Sequence, residues 1–183
     1  TIILGTFFFE LLGAIFLSVR FVPEFGLFRG IYYSIFHSIS AFCNAGFDLM
    51  GIKQPGSSLN LYYDDILVNI TIIMLIVIGG LGFYVWSDIA KNRHHVSKYS
   101  LHTKIVLTST LLLIAIPAAI IFVIEYFGGS FSELSLKGSV LSSVFQSVTL
   151  RTAGFTTVDY TLLNDGIIMI MLVVMLVGGS PGS

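Results

Sequence analysis

Three long apolar runs constrain this chain more than any other feature. They cover residues 2–22, 66–86 and 105–127, and each is close to the roughly 20 residues that an α-helix needs to cross a bilayer. Only 10% of the residues are charged, against about 25% in a typical soluble domain. A soluble fold of 183 residues could not bury this much apolar surface. We therefore expect an all-α integral membrane protein.

Two shorter apolar runs cover residues 30–43 and 138–150, after the first and the third long run. Both are too short to span a bilayer and have the length of re-entrant segments. Each is followed by the tripeptide Ala-Gly-Phe, whose glycines are Gly46 and Gly154. We expect two short helices that enter the membrane and turn back at these glycines.

An internal repeat relates the two halves of the chain. A shift of 108 residues aligns Gly30 with Gly138 and Gly46 with Gly154 without a gap. Each copy has the order long run, short run, glycine turn, long run. Because each copy crosses the membrane twice, both copies have the same orientation in it. The pattern predicts a parallel repeat of two helix–pore loop–helix (M1-P-M2) units.

The unit boundaries follow from the apolar runs. We place the first unit at residues 1–90 and the second at 105–183, with its last span broken from about residue 166. The loop at 91–104 separates them. Basic residues dominate residues 87–104, so the positive-inside rule predicts that this segment is cytoplasmic and that the short helices enter from outside.

The physical properties of such a turn point to cations. Backbone that is not helical survives at membrane depth only where protein covers it or where it lines a watery cavity. The C-terminal end of each short helix carries the negative end of its dipole. Carbonyl oxygens of the residues that follow can replace the water shell of an ion. The sequence therefore predicts that Gly46 and Gly154 line an ion pathway, which further copies of the unit must complete.

Three motifs carry a resemblance to a known family. They are Ser40–Leu49, Arg151–Asp159 and Gly178–Ser183, and they resemble the membrane subunits of the bacterial Trk/Ktr/HKT potassium transporter superfamily, the Ktr type in particular. The resemblance implies a potassium-channel-like fold of four such units around one pore. This chain would then be a fragment holding the second unit and most of the third.

The resemblance also implies a site, because it assigns roles to residues within these motifs. The selectivity filter would use backbone carbonyls of Asn44, Ala45, Gly46, Phe47, Thr152, Ala153, Gly154 and Phe155. An intramembrane gate loop would consist of Gly178, Gly179, Ser180, Pro181, Gly182 and Ser183. We expect Arg151 to support the filter, paired with Asp159, because a buried guanidinium without a partner would be costly.

The same resemblance implies the wider system. The transported ion would be K⁺, taken up across the bacterial plasma membrane by a homodimer of membrane subunits. A cytosolic RCK-like (KtrA-type) ring would bind ATP or ADP and control transport, whereas this chain itself would need no cofactor.

Other classes of function receive less support from the residues. A secondary cation transporter with discontinuous helices and a non-conducting membrane scaffold stay open as alternatives. An enzyme is not expected, because the sequence shows no nucleophile–base pair and no metal-ligand spacing. The net charge of −1 gives no reason to expect nucleic-acid binding.

Overall fold

The expected all-α fold is confirmed. A computed structural model describes residues 2–53, 55–92, 95–129, 131, 134–151 and 153–177, and the regular structure within these ranges is helical. The α-helices are α1 (Ile2–Phe25), α2 (Leu27–Phe42), α3 (Ile66–Gly80), α4 (Phe83–Asn92), α5 (Leu101–Gly128), α6 (Leu136–Thr149) and α7 (Asp165–Val177). Short 3₁₀ turns lie in the connections.

Two of the helices are long and apolar enough to cross a membrane, α1 and α5. A third span results if α3 and α4 are counted as one bent element, and α7 is a shorter apolar helix. The outward faces of α1 and α5 expose large apolar side chains such as Leu4 and Leu111. These faces suit contact with lipid, because water would not solvate them favourably.

The first two helices form a tight hairpin around Gly26, whose φ is +81°. A Cβ on Gly30 would lie 2.5 Å from the Cα of Val22, so the two helix backbones are in direct contact there. Further along, the Ser38 hydroxyl donates to the backbone oxygen of Glu10 at 2.6 Å. The short helix α2 is thereby held against α1 along its length.

The predicted span over residues 66–86 is not one straight helix. The helix ends at Gly80, and α4 departs from α3 at an angle of 95°. Gly82 permits the turn with a φ of +84°, and the indole N–H of Trp86 donates to the oxygen of Ile78 at 2.9 Å. The Ile78 carbonyl, which also accepts from the backbone N–H of Leu81 at 3.4 Å, thus receives a second hydrogen bond where the helix ends.

The second half of the chain repeats the order long helix, short helix, helix. Ser100 caps α5 by accepting from the backbone N–H of Thr103 at 3.2 Å, and Ser135 caps α6 by accepting from that of Gly138 at 3.0 Å. The halves share one apolar core, in which Ile72 of α3 lies in the same cluster as Phe145 of α6. This packing brings the two glycine turns to the same place.

Candidate functional site

Gly46 and Gly154 lie against each other, backbone to backbone. Their φ angles are +72° and +80°, in the region that favours glycine. A Cβ on Gly46 would lie 2.8 Å from the Cα of Gly154, and it would also meet the carbonyl oxygen of Ala153. A Cβ on Gly154 would lie 3.2 Å from the Cα of Gly46. Both the backbone angle and the available space therefore require glycine at Gly46.

We call the segments around the two glycines, residues 44–47 and 153–155, the first and second glycine strands. Near its start, each strand donates a backbone hydrogen bond to the helix before it. The N–H of Ala45 donates to the oxygen of Ser40 at 2.9 Å, and the N–H of Ala153 donates to the oxygen of Thr149 at 3.0 Å. The first bond joins residues five positions apart, and the second joins residues four positions apart. In the first turn, Asn44 has a φ of +51°. The two turns therefore differ in backbone hydrogen bonding, although the sequence aligns them without a gap.

The C-terminal end of each strand, called its outer end below, accepts a hydrogen bond from a hydroxyl on the same helix. The Ser40 side chain donates to the oxygen of Phe47 at 2.8 Å, and the Thr149 side chain donates to the oxygen of Phe155 at 2.6 Å. Sequence reasoning did not single out Ser40 or Thr149 for this role. A hydroxyl near the end of each short helix is the signal that could have found them.

The two strands differ in how well the chain covers them. Phe155 is fully buried, and its ring centroid lies 6.4 Å from that of His37 on α2. Phe47 is 69% exposed. Ala153 is likewise buried while Ala45 is exposed. The first half of the chain therefore covers the second strand, and the first strand presents an open apolar surface.

A loop of the first half also binds the second strand directly. The N–H of Leu59 donates to the backbone oxygen of Thr156 at 2.9 Å. The N–H of Thr156 donates in turn to the hydroxyl oxygen of Ser58 at 3.3 Å. Ser58 and Leu59 lie in the connection between α2 and α3. The structure shows that part of this connection holds the residue that follows Phe155.

The predicted pairing of Arg151 with Asp159 is not formed among the described residues. Asp159 instead accepts from the backbone N–H and the hydroxyl of Thr161 at 2.9 and 2.7 Å, and these bonds lower its pKa. Arg151 is buried, and burial lowers the pKa of its guanidinium. Its Nε has no hydrogen-bond partner within the part of the chain that the structure describes. The local turn therefore occupies the carboxylate that was expected to neutralise Arg151.

Two predicted parts of the site lie outside the described residues. These are Thr152 and the segment Gly178–Ser183. Within the described part of the chain, no three His, Cys, Asp or Glu side chains come together in a way that could hold a metal ion.

Comparison with known proteins identifies the family. Residues 1–183 match TrkH, the cation transport protein family. This chain belongs to the TrkH family. As a TrkH family member it belongs with membrane transport proteins rather than with enzymes, in keeping with its apolar helices.

Individual TrkH relatives are similar over nearly the whole chain. The Ktr system potassium uptake protein B of Bacillus subtilis is 41% identical over 175 residues, which are 95% of this chain and 38% of that protein. The potassium/sodium uptake protein NtpJ of Enterococcus hirae is 38% identical, covering 95% and 37%. The Ktr system potassium uptake protein B of Vibrio alginolyticus is 39% identical, covering 95% and 38%. The chain thus spans under two fifths of the length of these relatives.

Proposed function

We propose that this chain supplies two of the filter strands of a potassium-transporting membrane protein. One observation carries the proposal: Gly46 and Gly154 meet backbone to backbone, each with a positive φ and each just beyond the end of a short helix. The names of the relatives support the choice of ion, since they are potassium uptake and potassium/sodium uptake proteins.

The mechanism follows from the geometry of the two strands. The negative ends of the dipoles of α2 and α6 lie where the strands begin, which favours a cation there. Carbonyl oxygens within residues 44–47 and 152–155 replace the hydration shell of K⁺ as it passes. The hydrogen bonds from Ser40 and Thr149 hold the strands in shape, so the ion does not have to order them.

The full pore requires neighbours that this pair of strands lacks. Two strands cannot surround an ion, and the exposed ring of Phe47 leaves room beside the first strand. Four helix–pore loop–helix units around one axis would cover Phe47 in the way that α2 covers Phe155. This chain would supply the units at residues 1–90 and 105–183.

The remaining parts of the proposal rest on the family resemblance. Gly178–Ser183 would form a gate loop below the filter, and the segment at residues 87–104 would face the cytoplasm. The relatives named as Ktr system proteins support a multi-component assembly. In it, a homodimer of membrane subunits in the plasma membrane would be controlled by a cytosolic RCK-like ring that binds ATP or ADP.

Ion flux through the full-length protein tests this function. The protein that contains this chain would be reconstituted into liposomes, and uptake of K⁺ would be measured with and without competing Na⁺. We expect saturable K⁺ uptake that Na⁺ inhibits only weakly. Liposomes that take up no more K⁺ than empty ones would favour a scaffold, and uptake that strictly requires a second ion would favour a coupled transporter.

A further inference from the structure

His37 is a fully buried histidine on α2, and both of its ring nitrogens have a partner. Its Nδ1 lies 2.7 Å from the carbonyl oxygen of Tyr33, and its Nε2 lies 3.3 Å from the backbone nitrogen of Leu49. A carbonyl can only accept and a backbone N–H can only donate. The ring is therefore neutral, with its proton on Nδ1, and Nε2 accepts from Leu49.

This bond acts on the backbone just beyond the first glycine strand. Leu49 follows Phe47 by two positions, and the oxygen of Phe47 is already held by the Ser40 hydroxyl. His37 and Ser40 thus hold the outer end of the strand at two successive points, both from α2. The strand cannot rotate about its long axis without breaking one of these bonds.

Gln146 makes the corresponding connection in the second half of the chain. It is fully buried on α6, and its side-chain N–H donates to the hydroxyl oxygen of Thr156 at 3.0 Å. Its amide oxygen accepts from the Tyr160 hydroxyl at 3.2 Å. The Thr156 hydroxyl in turn donates to the carbonyl oxygen of Val158. Thr156 comes directly after Phe155, so this network fixes the outer end of the second strand.

The two side chains occupy the same place in their helices. His37 lies three residues before Ser40, and Gln146 lies three residues before Thr149. A buried polar side chain costs free energy unless its hydrogen bonds are satisfied, and here each side chain has at least one hydrogen-bond partner in the segment that follows a glycine strand. We propose that His37 and Gln146 are positioning residues that fix the outer ends of the two strands and thereby set ion discrimination. The inference rests on the proposed filter function.

Simple packing makes a different prediction for His37. Aromatic rings surround the imidazole, including Phe21 with its centroid at 5.6 Å and Phe36 at 5.8 Å. If the ring only filled space, leucine would replace it adequately, whereas glutamine would do so only at the cost of burying an amide. If the bond to Leu49 matters, glutamine retains an acceptor and leucine does not.

The test measures K⁺ and Na⁺ uptake by the full-length protein in liposomes at matched protein content. We expect His37→Leu and Gln146→Leu to lower the ratio of K⁺ to Na⁺ uptake by roughly three- to tenfold, the effect of one lost hydrogen bond. His37→Gln should keep the ratio close to that of the unsubstituted protein. Ser34→Ala is the matched control, because that buried hydroxyl bonds only to Gly30 of its own helix.

Gly46→Ser serves as the reference that separates the two proposals. If Gly46→Ser lowers the ratio and both leucine variants leave it unchanged, the positioning role is overturned and the filter stands. If none of the three changes the ratio, the filter assignment fails and the positioning role fails with it. A ratio for His37→Gln as low as that for His37→Leu would also overturn the role of the bond to Leu49.

A measurement on the unsubstituted protein tests the His37 bond independently of ion uptake. Nitrogen NMR of the ¹⁵N-histidine-labelled full-length protein in lipid reports which ring nitrogen carries the proton. The His37 signals, assigned by their absence in His37→Gln, should show a neutral ring protonated at Nδ1. A ring protonated at Nε2 or at both nitrogens would overturn the inference, because it could not accept from Leu49.

Discussion

The carbonyl oxygen of Phe42 occupies the place where a side chain on Gly79 would begin. A Cβ on Gly79 would also lie only 3.0 Å from the carbonyl carbon of Phe42. Phe42 is the last residue of α2 and lies two positions before Asn44. Helix α3 therefore contacts the end of α2 backbone to backbone, next to the candidate site.

Replacing Gly79 should destabilise the fold through this contact. We expect Gly79→Ala to lower the free energy of unfolding by about 1–3 kcal/mol, the usual effect of overpacking, visible as a lower thermal midpoint of the full-length protein in detergent. Gly128→Ala is the control, since a Cβ there would meet nothing within 4 Å. Equal midpoints for the two variants would contradict the close approach of Phe42 and Gly79.

The two glycines of the site should differ in their tolerance of alanine. A Cβ on Gly46 meets the backbone of Gly154 at 2.8 Å, whereas one on Gly154 meets that of Gly46 at 3.2 Å. We expect Gly46→Ala to reduce K⁺ over Na⁺ discrimination by roughly tenfold and Gly154→Ala by less, because both strain a positive φ but only the first clashes with backbone. Competitive uptake of K⁺ and Na⁺ by liposomes shows which of the two variants loses more discrimination. Gly51→Ala, in open space, should have no effect, and a reversed order would contradict the geometry.

The hydroxyl ties at the outer ends of the strands can be removed one at a time. Ser40→Ala and Thr149→Val each delete one bond to a phenylalanine carbonyl, and we expect each to lower discrimination by roughly three- to tenfold. Ser18→Ala removes a hydroxyl that bonds within α1 and should change nothing. Unaltered uptake ratios in both strand variants would show that the strands keep their shape without these bonds.

Asp88 links α4 to the start of α5. Its carboxylate accepts from the backbone N–H of Ser100 at 2.8 Å and from the side chain of Asn92 at 2.6 Å. In Asp88→Asn, we expect faster amide hydrogen exchange at residues 95–104, because an amide oxygen is a weaker acceptor than a carboxylate. Mass spectrometry of the exchanged peptides provides the measurement, with Lys91→Gln as a control on the same helix. Exchange as slow as in the unsubstituted protein would show that other contacts hold the link.

The proposed gate loop makes a prediction about flux. Deleting residues 179–182 from the full-length protein should raise K⁺ flux into liposomes, because the loop would obstruct the pore below the filter. Pro181→Ala keeps the length of the loop and should raise flux far less. A folded deletion variant with ordinary flux would remove this segment from the path of the ion.

Much of the fold could be predicted because it depends on local properties. Apolar runs near bilayer length indicated the helices that became α1 and α5, and the glycines after two shorter runs indicated the turns. Glycines at residues 79, 80 and 82 are compatible with either close helix packing or a bend, and the structure shows a 95° break after Gly80. At this break Trp86 bonds to Ile78, a contact that hydropathy does not encode.

The pairings within the site were harder to predict, because they too depend on contacts that hydropathy does not encode. Asp159 was expected to pair with Arg151. Thr161 instead offers it two hydrogen-bond donors only two residues away, so no distant part of the chain has to be brought close. The bond between Leu59 and Thr156 joins segments nearly a hundred residues apart, and nothing in either segment identifies the other. Such contacts become visible only when α3 and α6 are packed together.

The two strands are not copies of one another, because the first turn is closed by a hydrogen bond between residues five positions apart and the second by one between residues four positions apart. A pore made from four identical subunits presents the same ligands from every side, and one mutation changes all of them at once. In the proposed pore of four units, a mutation at Asn44 would alter one strand and leave the other three unchanged. Selection could then adjust the affinity for an ion one strand at a time, and the strands could diverge while the pore keeps working.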